Sequence, residues 1–269
     1  MDIDRYLSRI RCERPRKADL EGLRAVHAAH LLAIPYENID VQLGHKTDTG
    51  VAGAYEKIVT RRRGGWCYEM NGLLGWALDE LGFRVTRVTG SVGRKKFGDG
   101  HNGNHLVLRV DLHDGAYLAD TGFGNGPLYP FKVTSGDFSD ERFTFGLDRA
   151  DGPWWRVTNW PKEAGDTFDF MLAPADEALF AKMCTFLQTA PDSNFVKNFV
   201  VQHHTRDGVL ILRGRVLRDV RPQETTERLI DSADELVSVL SEKFGLDVPD
   251  VAPLWPRIMA RHAELFAVL

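Results

Sequence analysis

RRRGGWCYEMNGLLGWALDELGF, residues 61–83, holds the best-marked helix of the chain, with a cysteine at its start. Beyond Cys67 the apolar positions are Met70, Leu73, Leu74, Ala77, Leu78 and Leu81, which recur at three- and four-residue intervals. That spacing predicts a helix over 67–81 with one buried face. Gly82 follows the last periodic residue, as a helix stop does. Cys67 precedes Met70 and Leu74 by helical spacing and therefore points inward. It lies on a helix N-terminus, with its partial positive charge and unpaired N–H groups. Arg61, Arg62 and Arg63 precede it, and Gly64-Gly65 let a ligand approach the backbone. These surroundings favour a thiolate, the nucleophilic form. A small buried hydrophobe at a helix start is the alternative, and it is the reading given to Cys12 and Cys184.

Upstream, residues 17–32 carry Leu20, Leu23, Val26 and Leu31 ahead of Pro35, a second helical pattern. Downstream of Phe83 the period changes to two. Residues 85–92, 106–110 and 117–120 read as strands, with Asp114-Gly115 as a hairpin turn and a polar, glycine-rich loop over 95–104. Residues 155–158, 168–172 and 209–212 continue the strand pattern, which suggests an antiparallel barrel or sandwich. Helix returns at 233–244 and 258–266. The expectation is an α+β chain: helical over 1–83, β-rich over 84–200, and α/β over 201–269.

A cysteine nucleophile needs a base, and the base needs an orienting group. Among nine histidines, His105 opens a strand after the glycine-rich loop. Asp120 closes the strand YLAD, where an unpaired carboxylate is costly. The hairpin arithmetic does not bring them together. A turn at Asp114-Gly115 pairs 113 with 116, hence 109 with 120, so Asp120 faces Arg109 and His105 lies ~13 Å along the strand. A triad then requires a bulge, a longer turn or a sharp bend.

Composition narrows the class. With 269 residues, 43% hydrophobic and 27% charged, the chain is long enough for a sizeable core without metal or disulfide staples. A net charge of −4 gives no sign of a nucleic-acid partner. No run approaches the ~18 apolar residues of a membrane span, and charges stand where a signal peptide has its apolar segment. Three widely spaced cysteines, none in a CxxC, fit a reducing cytoplasm. His101 and His105 are spaced HxxxH in a loop rather than on a helix, so no metal is expected.

RGGWCYEMN at 63–71 resembles the arginine-glycine-glycine-x-cysteine-x-glutamate-x-asparagine signature of arylamine N-acetyltransferases. HLLAIPYENID at 30–40, HLVLRV at 105–110 and YLADTGFGNGPL at 117–128 resemble three further stretches of that family, in its order and spacing. Small departures are Tyr36 where phenylalanine is usual and Thr121 where valine is common. The resemblance implies an N-terminal helical bundle, a central antiparallel β-barrel and a C-terminal α/β lid around a cysteine-protease-like or transglutaminase-like core. It implies a catalytic triad of Cys67, His105 and Asp120, acetyl-coenzyme A as co-substrate, and arylamine or arylhydrazine acceptors. Tyr36, Phe123 and Phe199 are candidate aromatic contacts, and Gly124 and Gly126 candidate backbone contacts to acceptor or coenzyme. Glu37 and Arg63 are expected to pair and support the loop leading to Cys67. A homo-oligomer is left open. A Cys-His-Asp hydrolase, a transglutaminase-like enzyme and an amide synthase using carrier-bound acyl chains share this order of residues.

Overall fold

The computed structural model describes residues 1–159 and 167–266; residues 160–166 of the expected β-rich part and the last three of the tail lie outside them. The chain begins with α1 (Ile3–Ile10), α2 (Leu20–Ala33), β1 (Tyr36–Glu37), α3 (Ile39–Leu43), α4 (Val51–Tyr55) with a wide helical turn at Glu56–Thr60, and α5 (Cys67–Glu80). Then follow β2 (Arg84–Val92), α6 (Arg94–Phe97), β3 (His105–Leu112), β4 (Gly115–Ala119), β5 (Phe131–Lys132), β6 (Gly136–Ser139), β7 (Thr144–Arg149), β8 (Trp155–Asn159) and β9 (Phe168–Pro174). The remainder is α7 (Glu177–Thr189), α8 (Asn194–Lys197), β10 (Val200–His204), β11 (Val209–Arg213), β12 (Val216–Val220), β13 (Thr225–Leu229), α9 (Ala233–Phe244) and α10 (Trp255–Phe266).

The two helices read from periodicity form where their patterns place them. The Asp19 carboxylate caps α2 by accepting from the Gly22 N–H. Ile34, held extended by the following Pro35, ends it. Its buried stripe is Leu23, Val26, His27, His30 and Leu31. In α5 the Glu69 carboxylate accepts from the Trp66 N–H at 3.2 Å and closes the first turn. Most of α5 is buried, because α1, α2 and α4 cover one side and a sheet covers the other. Gly75 lets the helix lie close to that sheet: a Cβ there would sit 3.2 Å from a Leu108 methyl.

The larger sheet has eight antiparallel strands in the order β5-β4-β3-β2-β9-β8-β7-β6. Phe131 on one edge strand stacks on Phe138 of the other, their ring centres 4.3 Å apart, so the sheet curls into a nearly closed barrel. Val88, Val107, Leu118, Val157, Phe168 and Phe170 fill it. The smaller sheet runs β1-β10-β11-β12-β13. Helix α9 packs Leu236, Val239, Leu240 and Phe244 against its Val201, Leu212 and Leu217. Strand β1, from the helical N-terminal part, pairs Tyr36 with Gln202 and Glu37 with Val201. Two residues between helices therefore tie the first and last parts of the chain together.

The β3–β4 hairpin departs from the sequence expectation. Leu112 pairs with Gly115, so the two-residue turn is His113-Asp114 rather than Asp114-Gly115. Asp114 is held by the Tyr117 hydroxyl at 2.9 Å and Lys132 Nζ at 3.0 Å, and Gly115 takes up a φ of 136° as β4 begins. The register moves by two residues: Arg109 faces Leu118, not Asp120. Among the described residues, no helix is long and apolar enough to cross a membrane.

Candidate active site

Cys67, His105 and Asp120 mark the start of α5, the start of β3 and the end of β4. All three are buried. His105 Nε2 lies 2.8 Å from Asp120 Oδ2, and Cys67 Sγ lies 3.8 Å from the carbonyl oxygen of Asn104, the residue before His105. With Nε2 engaged by the carboxylate, Nδ1 is the nitrogen left to face sulfur. The corrected register makes this possible, because Asp120 now follows Ala119, the partner of Leu108. Continuing that ladder by one step sets Asp120 diagonal to His105 on the same face. Arg109, its expected partner, instead donates to the Leu172 carbonyl and to Asp111.

Burial alone would push the His105 imidazole down, but the Asp120 carboxylate and the Cys67 side chain outweigh it, and the ring is pushed up to about 10. Burial would raise Asp120, yet His105, Asn71 and the Gly122 N–H hold it below the usual carboxylate range.

Asn71, the last residue of the RGGWCYEMN stretch, stands at the centre of the site, although the sequence alone assigns it no role. One helical turn after Cys67, its Nδ2 donates to Asp120 Oδ1 at 2.7 Å and to the Leu106 carbonyl at 2.6 Å. Its Oδ1 accepts from the Thr121 N–H at 2.8 Å. The i, i+4 spacing to Cys67 was the available signal. Gly122 backs directly onto the cysteine, and a Cβ there would fall 2.6 Å from the Cys67 Cα.

The aromatic candidates separate. The Phe123 ring lies 5.8 Å from the His105 ring. Phe168 of β9, which the sequence did not single out, lies 5.2 Å from His105 and 4.9 Å from Phe123. Tyr36 shares a buried cluster with Trp66, Cys67 and Tyr68. Phe199 belongs to another cluster, with Ile39, Val201 and Leu212. Gly124, at φ 87°, faces protein: a Cβ there would overlap the Gln202 amide oxygen. Gly126 lies against Phe123.

Below Cys67, Arg63 Nη2 meets Glu37 Oε1 at 2.8 Å. Lys57, unnoticed in the sequence because it precedes the apolar pair Ile58-Val59, is buried among three carboxylates. Its Nζ is 2.8 Å from Asp40, 2.9 Å from Glu69 and 3.5 Å from Glu37. Burial opposes its charge, and the carboxylates more than restore it. Glu69, shared between Lys57 and the Trp66 N–H, joins this cluster to the cysteine's own helix turn.

A cavity of about 710 Å³ opens on the smaller sheet beneath α10. Ile211, Val216 and Phe199 form apolar lining, and Arg213, Arg218, Arg257 and Arg261 give it positive charge. Gln202 connects the two regions, since it lines the cavity, packs on Gly124 and pairs with Tyr36. Among the described residues, no group of three or more His, Cys, Asp or Glu is placed to hold a metal ion.

A buried thiol beside an imidazole–carboxylate pair has the parts needed for acyl transfer through cysteine. An N-acetyltransferase family profile matches residues 19–252. The arylamine N-acetyltransferase of Mycolicibacterium smegmatis is 34% identical over 272 residues, covering 98% of each chain. Human arylamine N-acetyltransferase 1 is 31% identical, covering 99% of each. The solved arylamine N-acetyltransferase of Mycobacterium marinum superposes with a TM-score of 0.87 at 31% identity, over 97% of this chain and 98% of that one. The Mycobacterium marinum enzyme in complex with CoA gives 0.86. The chain belongs to the arylamine N-acetyltransferase family.

Proposed function

We propose that this chain transfers the acetyl group of acetyl-CoA to the nitrogen of an arylamine or arylhydrazine, through an acetyl thioester on Cys67. The observation that carries the reading is the buried His105–Asp120 pair at 2.8 Å with the buried Cys67 thiol against the carbonyl of the preceding residue, Asn104. His105 takes the Cys67 proton, and Asp120 fixes the tautomer and stabilises the imidazolium. The sulfur attacks the thioester carbonyl. As the tetrahedral intermediate collapses, the bond to coenzyme A sulfur breaks and the leaving thiolate takes the proton from His105. In the second half-reaction the amine nitrogen attacks the acetyl-Cys67 carbonyl, His105 removes a proton from it, and Cys67 is regenerated.

The Cys67 backbone N–H, at the first position of α5, is the proposed donor to the developing oxyanion. Phe123, partly exposed beside His105 and backed by the buried Phe168, offers a ring face to a flat acceptor. The positively charged cavity on the smaller sheet supports an anionic coenzyme approaching from that side. A working thiol and three free cysteines support a reducing, cytoplasmic setting.

The test is half-reaction trapping. Acetyl-CoA without amine should add one acetyl group to Cys67 by intact-protein mass spectrometry, with a burst of coenzyme A. Steady-state lines against both substrates should be parallel. Intersecting lines with no adduct after rapid quenching would refute the covalent route. Free acetate in place of acetylated amine would make the enzyme a hydrolase.

A further inference from the structure

The loop over residues 120–128 carries Asp120 at one end and Phe123 within it. Both of its ends are bonded to one side chain from another part of the chain. The Asp120 backbone N–H donates to His27 Nε2 at 3.1 Å. His27 Nδ1 lies 2.9 Å from the Leu128 carbonyl oxygen. A backbone N–H can only donate and a carbonyl can only accept, so these two contacts specify a single tautomer: Nδ1 carries the proton and Nε2 is bare. His27 is on the buried stripe of α2 and is 1% exposed.

We propose that His27 is a positioning residue for the transfer reaction, a neutral imidazole that staples the two ends of the 120–128 loop and so sets where Asp120 meets His105. The proposal rests on the reading of Asp120 as the carboxylate of the triad. Its physical basis is a division of labour. Asn71 on α5 and the Gly122 N–H hold the Asp120 carboxylate, while His27 on α2 holds its main chain. The helix bearing the cysteine and the helix packed beside it thus both grip the aspartate, although β4 supplies it. At the far end, Asp140 accepts from the Leu128 N–H at 2.8 Å, so His27 and Asp140 hold the two polar groups of that residue. Burial keeps His27 below the usual histidine range, against the opposing pull of Leu128 and Asp120. Protonation would turn Nε2 into a donor and break its bond to the Asp120 N–H.

The first measurement uses the native enzyme. A multiple-bond ¹H–¹⁵N correlation on histidine-labelled protein should show His27 protonated at Nδ1 only, at neutral pH. An Nε2–H tautomer or an imidazolium would overturn the proposal. The second uses variants. His27→Leu fills the space with neither bond and should slow acetylation of Cys67 about 10- to 100-fold, the scale of a small misplacement of a catalytic group. The His105 titration midpoint should fall in the same variant as Asp120 turns away. His27→Gln, whose amide offers one acceptor and one donor, should recover most of the rate and the midpoint. A folded His27→Leu enzyme with unchanged acetylation rate and unchanged His105 titration would overturn the proposal, even with a lower Tm. Asp120→Asn separates the two failures. If that change is harmless, the triad reading has failed; if it is severe while His27→Leu is harmless, only the staple has.

Discussion

Asp120 and His105 meet at 2.8 Å from positions that do not face each other across the hairpin. The last ladder pair is Leu108 with Ala119. Asp120 reaches diagonally from just past the end of its strand to the first residue of the other. Both side chains lie on one face, and the diagonal spans a distance that an imidazole and a carboxylate together can bridge. The pairing therefore depends on a register set eight residues away, at the His113-Asp114 turn, and on the bonds that hold the end of β4.

The proton on this pair should link stability to pH. His105 is raised to about 10 in the folded state, against 6.5 for an ordinary histidine. The native state then binds more protons than the unfolded state between these values, and stability falls as pH rises through that window. The contribution is fully present below about 6.5 and gone above about 10. Denaturant midpoints measured from pH 6 to pH 10.5 should show a decline that is absent in His105→Gln.

Asp120→Asn should abolish turnover far more than it destabilises the protein. The amide oxygen can keep the bonds from Asn71 and Gly122, which leaves its NH₂ facing His105 Nε2. The ring must then accept there and carry its proton on Nδ1, the nitrogen that has to take the Cys67 proton. A loss of about 10³–10⁴-fold in single-turnover acetylation is expected, with near-native circular dichroism.

Gly122→Ala places a methyl group 2.6 Å from the Cys67 Cα and 2.8 Å from Asn71 Nδ2. Neither the start of α5 nor the end of β4 can yield without moving a member of the triad. A cost of about 1–3 kcal/mol in urea unfolding is expected from overpacking, together with a drop in kcat larger than any change in KM.

Lys57→Met removes the cation shared by Glu37, Asp40 and Glu69, leaving Arg63 among three buried carboxylates. Destabilisation of about 3–5 kcal/mol is expected at neutral pH. Burial already raises Glu69 above its ordinary value, and losing Lys57 raises it further. A carboxylate raised on folding binds more protons in the native state, so the variant should lose stability as pH rises. Thermal melts should show a smaller deficit against the parent protein at pH 5 than at pH 8.

Cys67→Ser should leave no measurable transfer, because a hydroxyl is a much poorer nucleophile beside the same imidazole. Cys12→Ser and Cys184→Ser should remain active. Burial pushes the Cys184 thiol up to about 12, and its sulfur sits against the Thr47 carbonyl and the Gln188 amide. Residual activity in Cys67→Ser, measured as coenzyme A release, would remove the cysteine from the mechanism.

Helices α2, α5 and α9 and strands β3 and β4 were legible because each has an apolar face of the right period and a recognisable end. Cys67, His105 and Asp120 stood out because each interrupts such a pattern at an element boundary. The hairpin register was not legible: a slip of two residues leaves every side chain on its original face, so both registers satisfy the same alternation. Only the packed molecule distinguishes them, through the hold on Asp114 and through Asn71 and His27 reaching the end of β4. Lys57 and His27 were hidden for a related reason. A polar residue on a buried stripe looks the same in sequence whether it is an error in the pattern or a group with partners waiting. Those partners come from residues 12 to 101 positions away. Periodicity records which face of an element is buried, and tertiary packing alone decides what that face meets.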